Sequence, residues 1–214
     1  MKKSSRSCLL QPFISFLHLL PALNTFLINP ADQENRMDSF YIRSERPEDI
    51  PGIFEVNLQA FGQDGEARLV NALREDGDYN PELSLVAIHG DRIIGHILFP
   101  PITIVSGTTE TAAVALAPLA VHQDFQCLGI GAALIEEGLK ECQRLGHRIV
   151  VVVGHPTYYP RFGFTIAREL GISAPFPCPD EALMALSLEI GALDGVCGIV
   201  RYPQAFDAVG AHTS

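Results

Sequence analysis

Residues 116–134 read LAPLAVHQDFQCLGIGAAL, a strand that leads through a short polar loop into a glycine-rich helix start. A helix N-terminus presents unpaired backbone N–H groups and the positive end of the helix dipole, which favour an anionic group. Gly129 and Gly131 let a phosphate approach the backbone, and Gln126 can donate a hydrogen bond without adding charge. The stretch therefore predicts a phosphate site, with close helix–sheet packing as the alternative reason for the glycines.

Pro118 interrupts the strand that leads into this loop. Proline cannot donate to a sheet ladder, so we expect strand pairing to be broken there. The strand then carries unpaired amides and carbonyls beside a phosphate site. This combination suits an extended ligand that has amide groups behind a pyrophosphate, and pantetheine joined to a nucleotide has that form.

The hydrophobic pattern on both sides of this stretch predicts one mixed α/β domain. A strand, a helix and a strand at 111–121, 128–145 and 149–153 have the spacing of a βαβ crossover, which implies a parallel strand pair. The other expected elements are a strand at 40–43, helices at 50–61 and 65–74, a hairpin of strands at 83–88 and 92–105 broken near Pro100 and Pro101, a short helix at 157–162, a strand from 163 and a strand at 183–190.

The composition narrows the class of protein. The chain has 214 residues, of which 47% are hydrophobic and 19% charged, as expected for a folded globular domain. Its formal net charge is −10 and it has no Lys/Arg cluster, which argues against a nucleic-acid partner. The five cysteines include no C-x-x-C pair, so neither a zinc site nor a disulfide framework is indicated, and reduced thiols in a cytoplasm are the simplest interpretation.

Several other motif classes lack their required residues. The dinucleotide fingerprint G-x-G-x-x-G would need a third glycine where Leu134 stands. The chain also lacks the G-K-[ST] of a P-loop, the G-x-S-x-G of an α/β-hydrolase and the H-E-x-x-H of a zincin. These classes are therefore set aside.

The first 36 residues predict an extension to the domain. An apolar tract at 9–28 follows three basic residues, which is the pattern of a signal peptide or a membrane anchor. Polar residues and prolines interrupt the tract. Met37 opens the first patterned strand and is the alternative start of the protein. We therefore expect a domain over 37–214 and an extension over 1–36 that is a mis-assigned start, a signal or an anchor.

Two motifs resemble the GNAT superfamily of N-acetyltransferases. One is Q-x-x-G-x-G-A at 126–132, preceded by L-A-V at 119–121, and the other is Y-x-x-x-G-F at 159–164. The longer string G-H-P-x-Y-Y-x-R-F-G-F at 154–164 is similar to one bacterial subgroup of predicted acetyltransferases. The resemblance covers about residues 38–205. It implies a single GNAT-like domain, with a mixed, mostly antiparallel sheet and a central splayed pair of parallel strands flanked by helices.

The resemblance also implies acetyl-CoA as the cosubstrate, no metal, and direct transfer of the acetyl group to a primary amine in a ternary complex. In that family the loop and helix start bind the pyrophosphate through backbone amides. The preceding strand pairs with the pantetheine arm, and one of its N–H groups helps to hold the thioester carbonyl. The cofactor-binding residues implied here are Leu119, Ala120, Val121, Gln126, Cys127, Leu128, Gly129, Ile130, Gly131 and Ala132.

Tyr159 is the tyrosine of the second motif, which in that family often lies near the cofactor sulfur. The resemblance implies that its phenol protonates the departing thiolate, with a packed aromatic as the alternative, while Tyr158 is expected in the core. Cys127 replaces a glycine of the family's commonest loop, and cysteine is unfavourable if that position needs a positive φ. Three candidate general bases are left open: Glu66, His122 and His155.

The acceptor is left open as well. The acidic net charge favours a cationic amine at long range, in a small metabolite or in a protein. A homodimer is also left open. Two other functions compete with catalysis: a non-catalytic acyl-CoA-binding module that kept the cofactor loop, and a membrane-tethered interaction protein that uses residues 1–36.

Overall fold

The computed structural model describes residues 39–210, so the expected extension over 1–36 and the start at Met37 lie outside the described residues. The helices and strands are numbered in chain order. They are β1 (Tyr41–Ser44), α1 (Ile50–Phe61), α2 (Gly65–Arg74), β2 (Ser84–His89), β3 (Arg92–Leu98), β4 (Pro101–Ser106), β5 (Thr109–Ala115), β6 (Leu119–Val121), α3 (Ile130–Arg144), β7 (Ile149–Val153), β8 (Thr165–Ile166), β9 (Ile172–Ser173), β10 (Leu183–Ser187), β11 (Gly198–Arg201) and α4 (Ala205–Gly210).

The strands form two sheets. One has the order β1-β2-β3-β6, and the other has the order β8-β10-β7-β5-β4-β11-β9. β5 runs parallel to β7, with Val114 opposite Val150, and β9 runs parallel to β11. The remaining strand pairs within residues 39–210 are antiparallel. The expected mixed, mostly antiparallel sheet with a central parallel pair is confirmed.

The strand expected across 111–121 is two strands, β5 and β6. β5 belongs to the seven-stranded sheet and β6 to the four-stranded sheet. The N–H of Leu116 donates to the carbonyl of Val151 in β7 at 2.8 Å, whereas the N–H of Ala117 donates to the carbonyl of Leu98 in β3 at 3.0 Å. The chain therefore passes from one sheet to the other next to Pro118, which has no N–H for either ladder. β6 and β7 diverge from this point.

Other boundaries follow local chemistry. The helix expected from residue 128 begins at Ile130, because Gly129 has φ +85° and lies outside the helical region. The β-rich run expected over 92–105 is two strands, β3 and β4, which are separated by Phe99 and Pro100. The short helix expected at 157–162 is a 3₁₀ helix over Tyr159–Phe162.

Two of the three buried hydrophobic clusters lie on opposite faces of the four-stranded sheet, and the third lies against the seven-stranded sheet. Alternate residues of a strand face opposite sides, so Leu85 in β2 packs in one cluster with Leu134 of α3, while Val86 packs in another with Ile53 of α1 and Val70 of α2. Truncating such a fully buried leucine to alanine costs about 2–5 kcal/mol. The two clusters fix α1 and α3 on opposite sides of β6 and its neighbours.

No helix within residues 39–210 is long and apolar enough to cross a membrane. The apolar tract at 9–28 lies outside the described residues.

Candidate active site

A cavity of about 510 Å³ opens where β6 and β7 part. Its wall combines the end of α1, the strand β6, the loop before α3 and the segment after β7. The cofactor-binding residues expected from the sequence that line it are Leu119, Val121, Gln126, Cys127, Gly129, Ile130, Gly131 and Ala132. The side chains of Ala120 and Leu128 are not in this wall: Ala120 is fully buried on the opposite face of β6.

The backbone of β6 is turned toward the cavity at two residues. The carbonyl of Pro118 accepts from β3 at 3.1 Å, and the N–H of His122 donates to β3 at 2.9 Å. Alternate residues of an antiparallel strand direct their N–H and C=O groups to the same partner, so Ala120 also bonds to β3. The intervening residues, Leu119 and Val121, consequently direct their N–H and C=O groups away from β3, toward the gap beside β7.

The loop between β6 and α3 contains two residues with positive φ. Cys127 has φ +62° and Gly129 has φ +85°. Gln126 Nε2 donates to the carbonyl of Val121 at 3.2 Å, which ties the loop to the end of β6. No side chain of the described residues caps the start of α3, so its first N–H groups are available to a ligand. The left-handed conformation costs a non-glycine residue roughly 1–2 kcal/mol, which makes cysteine unfavourable at 127.

Two adjacent tyrosines line the cavity in different ways. The ring of Tyr159 is 9% exposed, packs edge-to-face on Phe164 and lies where a Cβ on Gly154 would collide with it. Burial raises the pKa of the Tyr159 phenol, so it holds its proton at neutral pH. Tyr158, expected in the core, is half-buried: its ring packs against the core cluster and also lines the cavity, with its hydroxyl 3.3 Å from the position of a Cβ on Gly131.

The three candidate bases lie in three different places. His155 lines the cavity, with its Nδ1 2.9 Å from Thr157 Oγ1. His122 lines a separate cavity beside β1 and α1. Glu66 is 4% exposed in the first turn of α2, where burial raises its pKa and the nearest amide donor, from Gln63, is 3.4 Å away. Only His155 is in the wall of the β6–β7 cavity.

A chain of buried hydrogen bonds lies behind β6 and was not expected from the sequence. Asn57 of α1 donates to Nδ1 of His96, and Nε2 of His96 then donates to the hydroxyl of Ser84 at 3.0 Å. Ser84 in turn donates to Glu45, which Arg74 of α2 also holds through two hydrogen bonds. Burial lowers the pKa of His96 to about 3, so the ring is neutral. This series of hydrogen bonds anchors α1 and α2 to the sheet.

The cavity residues that sequence reasoning did not assign to the site include Ala60, Phe61 and Arg161. The first two come from the end of α1, which is distant in sequence from the loop that they face. Arg161 lies inside the second motif, and its basic side chain was the only feature of the sequence that could have assigned it to the site. No group of three or more His, Cys, Asp or Glu side chains among residues 39–210 could hold a metal ion.

The sequence model of the acetyltransferase (GNAT) family matches residues 50–164. The chain is 42% identical over 134 residues to the uncharacterized N-acetyltransferase YjhQ of Escherichia coli K12, which covers 62% of this chain and 74% of YjhQ. It is 36% identical over 167 residues to the uncharacterized N-acetyltransferase YhbS of the same organism, which covers 78% of this chain and 98% of YhbS.

Two of the similar crystal structures contain CoA or acetyl-CoA. The structure of Escherichia coli YhbS in complex with CoA superimposes with a TM-score of 0.73 at 36% identity, over 78% of this chain and 92% of YhbS. A GNAT family acetyltransferase from Brucella melitensis in complex with acetyl-CoA superimposes with a TM-score of 0.65 at 33% identity, over 79% of this chain and 99% of that protein.

Proposed function

Because this chain belongs to the acetyltransferase (GNAT) family, we propose that it transfers the acetyl group of acetyl-CoA to a primary amine by direct attack in a ternary complex. One observation carries the proposal: the wall of the β6–β7 cavity combines strand backbone that is not paired with β3, an uncapped helix start and a buried phenol. An acyl-thioester with amide groups behind a pyrophosphate matches all three features. The amides suit the strand backbone, the pyrophosphate suits the helix start and the thioester suits the phenol.

The cofactor is held mainly by backbone groups in this proposal. The pantetheine amides pair, as a strand would, with the N–H and C=O groups of Leu119 and the N–H of Val121 in the gap beside β7, while the Val121 carbonyl is held by Gln126. The pyrophosphate lies against the loop 126–132 and the first N–H groups of α3, where Gly129 and Gly131 leave the backbone accessible. The CoA and acetyl-CoA in the two similar crystal structures support this assignment.

Acetyl transfer then proceeds by addition and elimination at the thioester. The amine nitrogen attacks the carbonyl carbon, and an N–H group of β6 at the parting of the sheets stabilises the oxyanion. When the tetrahedral intermediate collapses, the C–S bond breaks and the thiolate takes the phenolic proton of Tyr159. Burial keeps that phenol protonated at neutral pH, which is the state an acid needs. The proton lost from the amine nitrogen goes to water or to a base such as His155, and the Tyr159 phenolate takes up a proton from water, so that the enzyme is restored and the products are the amide and the free thiol.

A turnover assay with the full chain tests the function. Acetyl-CoA is supplied with a panel of small cationic amines and peptides with free N-termini, while the release of free thiol is followed and the products are analysed by mass spectrometry. We expect amine-dependent thiol release with an equimolar acetylated product. Saturable acetyl-CoA binding without amine-dependent release across the panel would instead support a non-catalytic acyl-CoA-binding module.

A further inference from the structure

Arg161 differs from the other basic side chains in its partners. Within residues 39–210, Arg92 contacts His122, and all remaining Lys and Arg side chains except Arg161 form ion pairs with Asp or Glu. The guanidinium of Arg161 instead lies 4.1 Å from the centroid of the Tyr158 ring and 4.8 Å from that of Phe162. Its charge is therefore not compensated by a carboxylate, and the exposed side chain rests against two aromatic rings.

This guanidinium is also the sole Lys or Arg group in the wall of the β6–β7 cavity, and no Asp or Glu lines that wall among the described residues. The loop 126–132 carries no charge of its own. In a chain with a formal net charge of −10, a cavity free of carboxylates that holds one unpaired guanidinium favours an anionic ligand.

The position of Tyr158 connects Arg161 with the start of α3. The Tyr158 hydroxyl lies 3.3 Å from the position of a Cβ on Gly131, and the same ring carries the Arg161 guanidinium on its face. Arg161 consequently lies beside the helix start, on the side of the segment that follows β7. A planar guanidinium can bind a phosphate through two parallel hydrogen bonds.

We propose that Arg161, oriented by the ring of Tyr158, pairs with a phosphate group at the nucleotide end of acetyl-CoA and makes this cavity selective for a phosphorylated acyl carrier. The inference rests on the proposed function. The uncharged loop 126–132 binds phosphate through N–H groups alone, and Arg161 supplies the opposite charge. Because the guanidinium is already stacked, little side-chain freedom is lost when the phosphate binds.

The test measures calorimetric affinity of the full chain for acetyl-CoA in the wild type, in Arg161→Gln and in the control Arg168→Gln. Arg168 is an exposed arginine that pairs with Asp180 and is not in the cavity wall. We expect Arg161→Gln to raise the Kd by about 10- to 100-fold, as for the loss of charged hydrogen bonds, and to weaken the salt dependence of binding. Arg168→Gln should change the Kd little.

Two further ligands separate a phosphate contact from a packing role. Acetyl-pantetheine lacks the nucleotide, so turnover with it should be equal in the wild type and in Arg161→Gln. A loss of turnover with acetyl-pantetheine in Arg161→Gln that is as large as the loss with acetyl-CoA would overturn the proposal. An unchanged Kd for acetyl-CoA would overturn it as well. If Arg161→Gln does not weaken the binding of acetyl-3′-dephospho-CoA, the contact is to the 3′-phosphate. If it weakens that binding as it weakens the binding of acetyl-CoA, the contact is to the pyrophosphate. Both results support a phosphate contact.

Failure of the wild type to bind acetyl-CoA is a different result. It would reject the proposed function together with this inference, whereas wild-type binding that Arg161→Gln leaves unchanged would reject the inference alone.

Discussion

The hydroxyl of Tyr158 lies 3.3 Å from the position that a Cβ on Gly131 would take. A methyl of Val121 lies 3.6 Å from the same position, so the start of α3 faces both β6 and the segment after β7. A side chain at residue 131 would therefore project into the space between the two strands. The close approach links a tyrosine of the second motif to a glycine of the first.

Gly131→Val should weaken acetyl-CoA binding, because its methyl groups would occupy the volume proposed for the pyrophosphate. The measurement is a calorimetric titration, together with a melting curve that verifies folding. Gly77→Val is the matched control, since a Cβ at Gly77 meets nothing within 4 Å. Wild-type affinity in a folded Gly131→Val protein would remove the pyrophosphate from this site.

Tyr159→Phe should lower kcat by about 10²- to 10⁴-fold, the usual contribution of a positioned acid, while the Kd for acetyl-CoA stays near its wild-type value. The phenyl ring preserves the packing on Phe164 and removes only the proton donor. Tyr202→Phe, at a tyrosine outside the cavity wall, provides the control. Equal kcat in Tyr159→Phe and wild type across the pH range would rule out the phenol as the acid.

Cys127→Gly should raise the free energy of unfolding by about 0.5–1 kcal/mol, because glycine adopts a φ of +62° without strain but has more freedom to lose on folding. Chemical denaturation measures the difference. Cys197 is also exposed and has no positive φ, so Cys197→Gly should not stabilise the protein. Stabilisation of equal size by both substitutions would show that backbone strain at residue 127 is not the cause.

Glu66→Gln should stabilise the protein at pH 7. Burial raises the pKa of the Glu66 carboxyl above its ordinary 4.5, so the folded state favours the neutral form. The stability that this group provides is present below pH 4.5 and is lost as the pH rises through the folded pKa. Glutamine stays neutral, so the gain in melting temperature should be larger at pH 7 than at pH 4.

Glu136→Gln, on the exposed face of α3, changes the net charge equally and serves as the control for Glu66→Gln. A gain that is the same at pH 4 and pH 7, or that the control reproduces, would contradict burial of the Glu66 charge as the cause.

The sequence predicted those parts of the fold that depend on local pattern. The spacing of apolar residues predicted α1 and α2, and the β-branched run at 149–153 matches β7. Pro118 marked where pairing breaks, because the missing N–H is a property of one residue. The pattern did not predict that the two halves of that strand join different sheets, because sheet membership depends on pairing with β3 and β7, which are distant in sequence.

The candidate site was predictable to a similar extent. Gln126, Gly129, Gly131 and Tyr159 belong to motifs that can be identified from the sequence alone. In the structure all four line the β6–β7 cavity. The roles of Tyr158 and Arg161 depend on their distance from α3, and that of Phe61 on the end of α1 reaching the cavity. These contacts join segments from different parts of the chain, which periodicity and spacing do not report.

The central claim is that the cavity between β6 and β7 holds acetyl-CoA, and calorimetric titration of the full chain with acetyl-CoA tests it most directly. NADH, titrated separately, is the control for a nucleotide with a pyrophosphate but no pantetheine arm. The account predicts saturable binding of one acetyl-CoA per chain and no saturable binding of NADH. Absence of saturable acetyl-CoA binding to the folded protein would contradict it.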